Sequence, residues 1–359
     1  MPYGRLADPE STLGTDPRSD PRMIKAFAPY GLDGRRSPEP PLTPDSPLQD
    51  RLAWAAETEE GMVGVLGTFA QAVRIPQGVT TTTTTIAGDD GNDITLYISR
   101  PSDADIALPG VVHIHGGGMA TLSATDPGYV LGREYLAATG LVVVGVEFRN
   151  SAGKLGTHPY PAGLNDCAAA IRWVANNRKD LGISHAIVSG ESGGGNLTLA
   201  VAHKAKREGW LNDIAGVYAQ CPFISNRWLE QPDELPSLKE NDAYFLSVLE
   251  LALFGSLYDP DKAHAHDAAC WPLQAESEEL AGLPPHVISV NELDPLRDEG
   301  LLYYRRLLRA GVPAVGRVVA GTCHAGDLLL PGAMPEVFAA SMRDVSGFAK
   351  SIGYRNTQS

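Results

Sequence analysis

Six short apolar runs, GVVHIHG, LVVVGVEF, HAIVSG, GVYAQCPFI, PHVISVNE and AVGRVVAG, recur between residues 110 and 321. Between several of them lie longer stretches with helical spacing, at about 161–179, 193–208 and 296–310, and another follows at 335–351. Strands buried on both faces read as continuous Val/Ile runs, and their alternation with helices implies parallel crossover units. Upstream, the run Thr80–Thr85 has high β-propensity, and GDDGND separates it from ITLYISRP as a turn would. That pattern predicts an antiparallel hairpin beside the parallel strands. The fold class is therefore α/β, a mixed, mostly parallel sheet with helices on both faces.

Two segments fall outside this alternation. Residues 1–48 are rich in Pro, Asp, Ser and Gly (DPESTLGTDPRSDPR, SPEPPLTPDSP). Proline removes donors and restricts its neighbours, so an irregular arm is expected there. Residues 49–359 make the main domain, opening with a helical pattern from Gln49 to about Leu66. Residues 225 to about 275 hold helix-like material between two strands, and an insertion there, joined by the arm, would form a cap.

Chemistry concentrates in three places. Gly190-Glu191-Ser192-Gly193-Gly194 follows the run AIVS and precedes the helical stretch NLTLAVAHKAKR. A serine on a strand-to-helix turn is forced into a strained conformation, and flanking glycines leave room for the close chain approach. The hydroxyl then sits at a helix N-terminus, which favours developing negative charge. His115-Gly116-Gly117-Gly118 ends the strand run GVVHIHG. Glycines can present backbone N–H groups to an oxyanion, and Gly116, Gly117 and Gly193 are the expected donors. His115 is read as positioning that loop.

A serine nucleophile needs a base, and the base a carboxylate that fixes its tautomer. The chain order on this kind of sheet is Ser, acid, His. Of nine histidines, only His324, in GTCHAGD, lies beyond the acidic cluster Asn291–Glu299. Asp294 stands at the end of the run PHVISV and is the chosen acid, with Glu292 as runner-up. Met119, Trp228, Tyr244 and Phe245 are candidate substrate-pocket residues, although cap aromatics at helical spacing equally suit a cap core. His264, His266 and Asp267 have no further ligand to complete a metal set, so neither metal nor cofactor is expected.

Together, HGGG, the later G-E-S-G-G-G-N, N-E-L-D-P-L-R-D-E-G and the His324 loop resemble the hormone-sensitive-lipase-like esterases over about residues 50–350. The resemblance implies an α/β-hydrolase fold, with an eight-stranded core and a cap from the N-terminal arm. It also implies carboxylesterase activity without a cofactor, through Ser192, Asp294 and His324. One departure is Glu147-Phe148-Arg149-Asn150-Ser151-Ala152, where the family commonly reads D-Y-R-L-A-P-E. A lactone or short-acyl ester would fit as substrate. An amidase or formamidase on the same triad, an acyltransferase, and a non-catalytic small-ligand sensor on this fold stay open.

The net charge of −14 repels phosphate backbones and anionic lipid, so neither nucleic acid nor membrane is an expected partner. A homodimer through edge strands would fit the resemblance. Four scattered cysteines without C-x-x-C spacing read as buried thiols, and MPYGRLADPE has no apolar signal region, which points to a cytoplasmic protein.

Overall fold

The computed structural model describes residues 3–34 and 40–356. Parts of the expected arm, residues 1–2 and 35–39, lie outside the described residues. The strands are β1 (Val79–Ala87), β2 (Asp93–Pro101), β3 (Leu108–Ile114), β4 (Val142–Glu147), β5 (Ile183–Glu191), β6 (Gly216–Gln220), β7 (His286–Asn291) and β8 (Ala314–Val319). They form one eight-stranded sheet in the order β1-β2-β4-β3-β5-β6-β7-β8. β1 pairs antiparallel with β2, and β2 antiparallel with β4. Every pairing from β4 to β8 is parallel.

Side chains alternate across the sheet, and the two faces sort accordingly. Val112, Ile114 and Val188 join the core with Leu164 and Ala170 of the Ala162–Asn176 helix, Leu197 and Val201 of the Gly193–Glu208 helix, and Leu307 of the Arg297–Arg309 helix. Their neighbours Val111, Val143, Ile187, Tyr218 and Val287 face the other way, against Leu136 and Phe338, Met342 and Val345. Burial of each large apolar side chain contributes about 1.5–3 kcal/mol, so this two-sided pattern drives the layering. Leu136 belongs to a helix, Pro127–Ala138, that the apolar runs do not announce. Pro127, Gly128 and Gly132 look like breakers, yet proline suits a first helical position, where no donor is lost.

The opening helix runs from Leu48 to Gln71, five residues beyond the expected Leu66. Between β6 and β7 stand the short Ser237–Glu240 helix and the Val248–Tyr258 helix, the latter started by a capping box of Ser247 and Glu250. The arm is not irregular throughout. Asp20 caps a Pro21–Phe27 helix by accepting from Arg22 N, so a proline at the start of a turn promotes helix there. Arm and insertion are tied together at several points. Arg18 pairs with Glu240, Tyr244 Oη donates to Asp16 Oδ2 at 3.1 Å, and Phe27 stacks on Phe245 at 5.4 Å. Arg297 donates to both oxygens of the same Glu240, at 3.0 and 3.1 Å, which joins this assembly to the start of the helix after β7. No described helix is long and apolar enough to cross a membrane.

Candidate active site

Ser192 lies between β5 and the Gly193–Glu208 helix with φ 57° and ψ −119°. That region is strained for any residue with a Cβ, and it tips the hydroxyl away from the strand. The glycines around it are forced by contact. A Cβ on Gly194 would stand 2.0 Å from the Ile114 carbonyl oxygen, and one on Gly190 2.4 Å from the same atom. The turn is fixed further by Ser192 N donating to Gln220 O at 2.9 Å, and by Asn196 Nδ2 donating to Phe223 O at 2.8 Å.

His324 Nδ1 donates to Asp294 Oδ2 at 2.7 Å, with Asp294 fully buried. This contact sets the tautomer and leaves Nε2 as the acceptor. Asp294 Oδ1 also accepts from Leu296 N at 2.9 Å, which fixes the carboxylate at the helix entry. Glu292 is engaged elsewhere, accepting from Gly321 N at 2.8 Å. The His324 loop is braced by Asn291, which the sequence reading passed over. Its Nδ2 donates to Thr322 Oγ1 at 2.7 Å and Asp327 Oδ1 at 2.8 Å, and its Oδ1 accepts from Ala325 N at 3.2 Å. Ala325 holds a left-handed φ of 52°, a conformation this bracing sustains. Ser192 and His324 line one cavity of about 140 Å³.

The glycine loop corrects one expectation. Gly116 N donates to Glu191 Oε1 at 2.9 Å, so this amide is committed and is not an oxyanion donor. The amides of Gly117 and Gly118 have no acceptor among the described residues. Gly118 N lies beside the serine turn, within 2.7 Å of where a Cβ on Gly193 would stand. Glu191 fills only the variable position of the motif, yet its buried carboxylate also meets His113 Nε2 at 3.0 Å. His115 is fully buried and stacks on Phe148 at 4.2 Å. Burial lowers its pKa to about 4, so the ring beneath the loop is neutral.

Of the four pocket candidates, only Phe245 lines the cavity. Trp228 is packed between Phe223 and Trp271, at 4.2 and 5.4 Å, and donates to Glu299 Oε2 at 3.1 Å. Tyr244 is fully buried against the arm through Asp16, and Met119 is 1% exposed. These aromatics cover apolar area inside the cap, which stabilises more than exposure in a pocket would. The wall comes instead from Met62, Val63, Leu66, Gly67 and Ala70 of the opening helix, with Leu251 and Phe254. Glu59 of that helix accepts from Leu122 N at 2.7 Å and Lys154 N at 2.8 Å, tying the opening helix to the loop that follows the glycines.

Among the described residues, one cluster has donor atoms close enough for a metal: Cys221, Asp294 and His324. Its donor chemistry argues against that use. The Asp294 oxygen and His324 Nδ1 serve each other, and burial pushes the Cys221 thiol well above its ordinary pKa, away from the thiolate a metal needs. Asp267 of the His-Ala-His stretch instead accepts from Tyr160 Oη at 2.7 Å. All four cysteines are free and buried.

Residues 111–327 match a family described as the alpha/beta hydrolase fold. The chain is 34% identical to Esterase LipI of Mycobacterium tuberculosis over 235 residues, 63% of this chain and 68% of that one. It is equally 34% identical over 234 residues to Carboxylesterase NlhH of the same species, 64% of this chain and 69% of that one. The structure of brefeldin A esterase, described as a bacterial homologue of human hormone-sensitive lipase, superposes with a TM-score of 0.93 at 43% identity, covering 98% of this chain and 99% of that one. The chain belongs to the alpha/beta hydrolase fold family, and within it to the serine carboxylic ester hydrolases.

Proposed function

We propose that the protein cleaves a carboxylic ester of a small molecule through an acyl-enzyme on Ser192. The observation that carries this reading is the 2.7 Å contact of His324 with buried Asp294, in a cavity that Ser192 also lines. His324 Nε2 removes the Ser192 proton as Oγ attacks the ester carbonyl. The amides of Gly117, Gly118 and Gly193 receive the oxyanion, each such donor being worth about 100-fold to 1000-fold in turnover. As the tetrahedral intermediate collapses, the bond to the leaving oxygen breaks and His324 returns its proton to the alcohol. Water, deprotonated by the same imidazole, then attacks the acyl-enzyme and releases the acid. Asp294 stays ionised and orients the ring throughout. No step calls on a cofactor. A short-acyl ester or a lactone suits a cavity of about 140 Å³ better than a long lipid chain.

The test compares wild type with Ser192→Ala on p-nitrophenyl esters from acetyl to palmitoyl. Saturable hydrolysis that disappears in the variant is expected. Equal hydrolysis by both proteins would remove Ser192 from the mechanism.

A further inference from the structure

Beneath Ser192 the cavity does not end on apolar side chains alone. On the sheet face that carries the Pro127–Ala138 and Pro335–Asn356 helices, Val111, Ile187 and Tyr218 belong to an apolar cluster. Two residues further along the same strands stand His113 on β3, Ser189 on β5 and Gln220 on β6, and all three line the cavity that reaches Ser192. Ser189 is 1% exposed and Gln220 7% exposed, and neither side chain has a hydrogen-bond partner among the described residues. His113 turns one ring nitrogen to Glu191 and has no partner on the other among the described residues. The buried Leu136, Phe338, Met342 and Val345 line the same cavity.

A hydroxyl and a primary amide that face a cavity without a protein partner are met there by water or by a polar group of the molecule that enters. Resting on the ester-hydrolase reading, we infer that this recess is the acyl subsite and that it takes acyl chains bearing a neutral oxygen function, a hydroxyl or a ketone. The order of product release points to the acyl side. The alcohol leaves first, while the acyl group is still bonded to Ser192, so an alcohol seated deeper than the acyl-enzyme would have to pass it to escape. The lining fixes the polarity. Gln220 and Ser189 offer donors and acceptors but no charge, while the Glu191 carboxylate beside His113 repels an anionic acyl end. Reach is consistent with a substituent near the carbonyl or mid-chain. Gln220 pairs in register with Glu191, next to the serine, and Ser189 lies three residues before it, roughly 10 Å of strand.

The test reads kcat/KM for matched ethyl esters: β-hydroxybutyrate against butyrate, and levulinate against valerate, with monoethyl succinate as the anionic arm. Wild type is expected to prefer each oxygenated ester by about five- to tenfold, the worth of a well-made neutral hydrogen bond, and to turn over succinate poorly. Ser189→Ala and Gln220→Leu should each bring the oxygenated-to-plain ratio toward one. Because the ratio is read within each protein, a lower folded fraction does not imitate this result. A wild-type ratio near one, or a ratio unchanged in both variants, would overturn the proposal and leave a recess filled by water alone. Failure of the ester-hydrolase reading looks different: neither plain nor oxygenated ester would be cleaved in a Ser192-dependent way, and the subsite would fall with it.

Discussion

Glu191 is the residue whose removal separates positioning from mere folding. Its carboxylate accepts from Gly116 N at 2.9 Å and meets His113 Nε2 at 3.0 Å, and the residue is 6% exposed. Hydrogen bonds to a buried charged group are worth about 1.5–3 kcal/mol each, so Glu191→Ala frees the loop at its root. Gly117 and Gly118 follow directly, and full loss of one oxyanion donor costs about 2.7–4 kcal/mol. A displaced rather than deleted pair should cost less, about 1.4–2.7 kcal/mol, which is a 10- to 100-fold fall in kcat. KM should change little, because these donors act on the transition state. Glu191→Gln keeps one acceptor for Gly116 N and should recover most of the rate. The assay is steady-state kinetics on p-nitrophenyl butyrate beside a thermal melt. A folded Glu191→Ala protein with wild-type kcat, or a Gln variant no better than Ala, would refute the reasoning.

Other consequences can be checked in parallel. Glu59→Ala leaves Leu122 N and Lys154 N without their acceptor and should cost about 2–4 kcal/mol of stability, visible as a lowered Tm; an unchanged Tm would deny the link between the opening helix and the loop. Burial lowers the pKa of His286 to about 4 and of His203 to about 3, so between pH 6.5 and those values the unfolded chain binds protons that the folded one refuses. Stability should therefore be complete above pH 6.5 and fall as pH drops, by about 2 kcal/mol per histidine at pH 5, and His286→Asn should flatten the slope of denaturant unfolding with pH. The same slope in the variant would contradict this. Gly67 lines the cavity, and a Cβ there meets only Pro127 Cγ at 3.8 Å, so Gly67→Leu fills open space without backbone conflict. It should shift the acyl-length optimum toward acetyl, lowering kcat/KM for hexanoyl by about tenfold or more; an unaltered profile would place the acyl chain elsewhere.

The parts of this protein that sequence discloses are those governed by local pattern. Val/Ile runs gave the parallel strands because burial on both faces is written residue by residue, whereas β1, largely exposed, was legible from the β-propensity of its threonines. Chain order and strand ends singled out Ser192, Asp294 and His324, and in the structure His324 meets Asp294 and lines one cavity with Ser192. The expectation for Gly116 failed because the deciding contact joins its amide to Glu191, 75 residues away, and no spacing encodes it. Trp228 and Tyr244 were mistaken for pocket candidates because an aromatic residue in a cap looks the same whether it faces a ligand or a neighbouring ring. The actual wall, Met62 to Ala70, lay at the end of a helix whose apolar and small residues read as ordinary packing. The polar row of His113, Ser189 and Gln220 is visible only once three separate strands are set in register.

The central claim, an acyl-enzyme on Ser192, is met most directly by covalent trapping. Incubation with diethyl p-nitrophenyl phosphate, followed by intact-mass and peptide mass spectrometry, should add one diethylphosphoryl group per chain on Ser192. Ester hydrolysis should fall in step with labelling, and Ser192→Ala should take no label. Hydrolysis that persists in a fully labelled enzyme, or a label on another residue that accounts for the lost activity, would contradict the account.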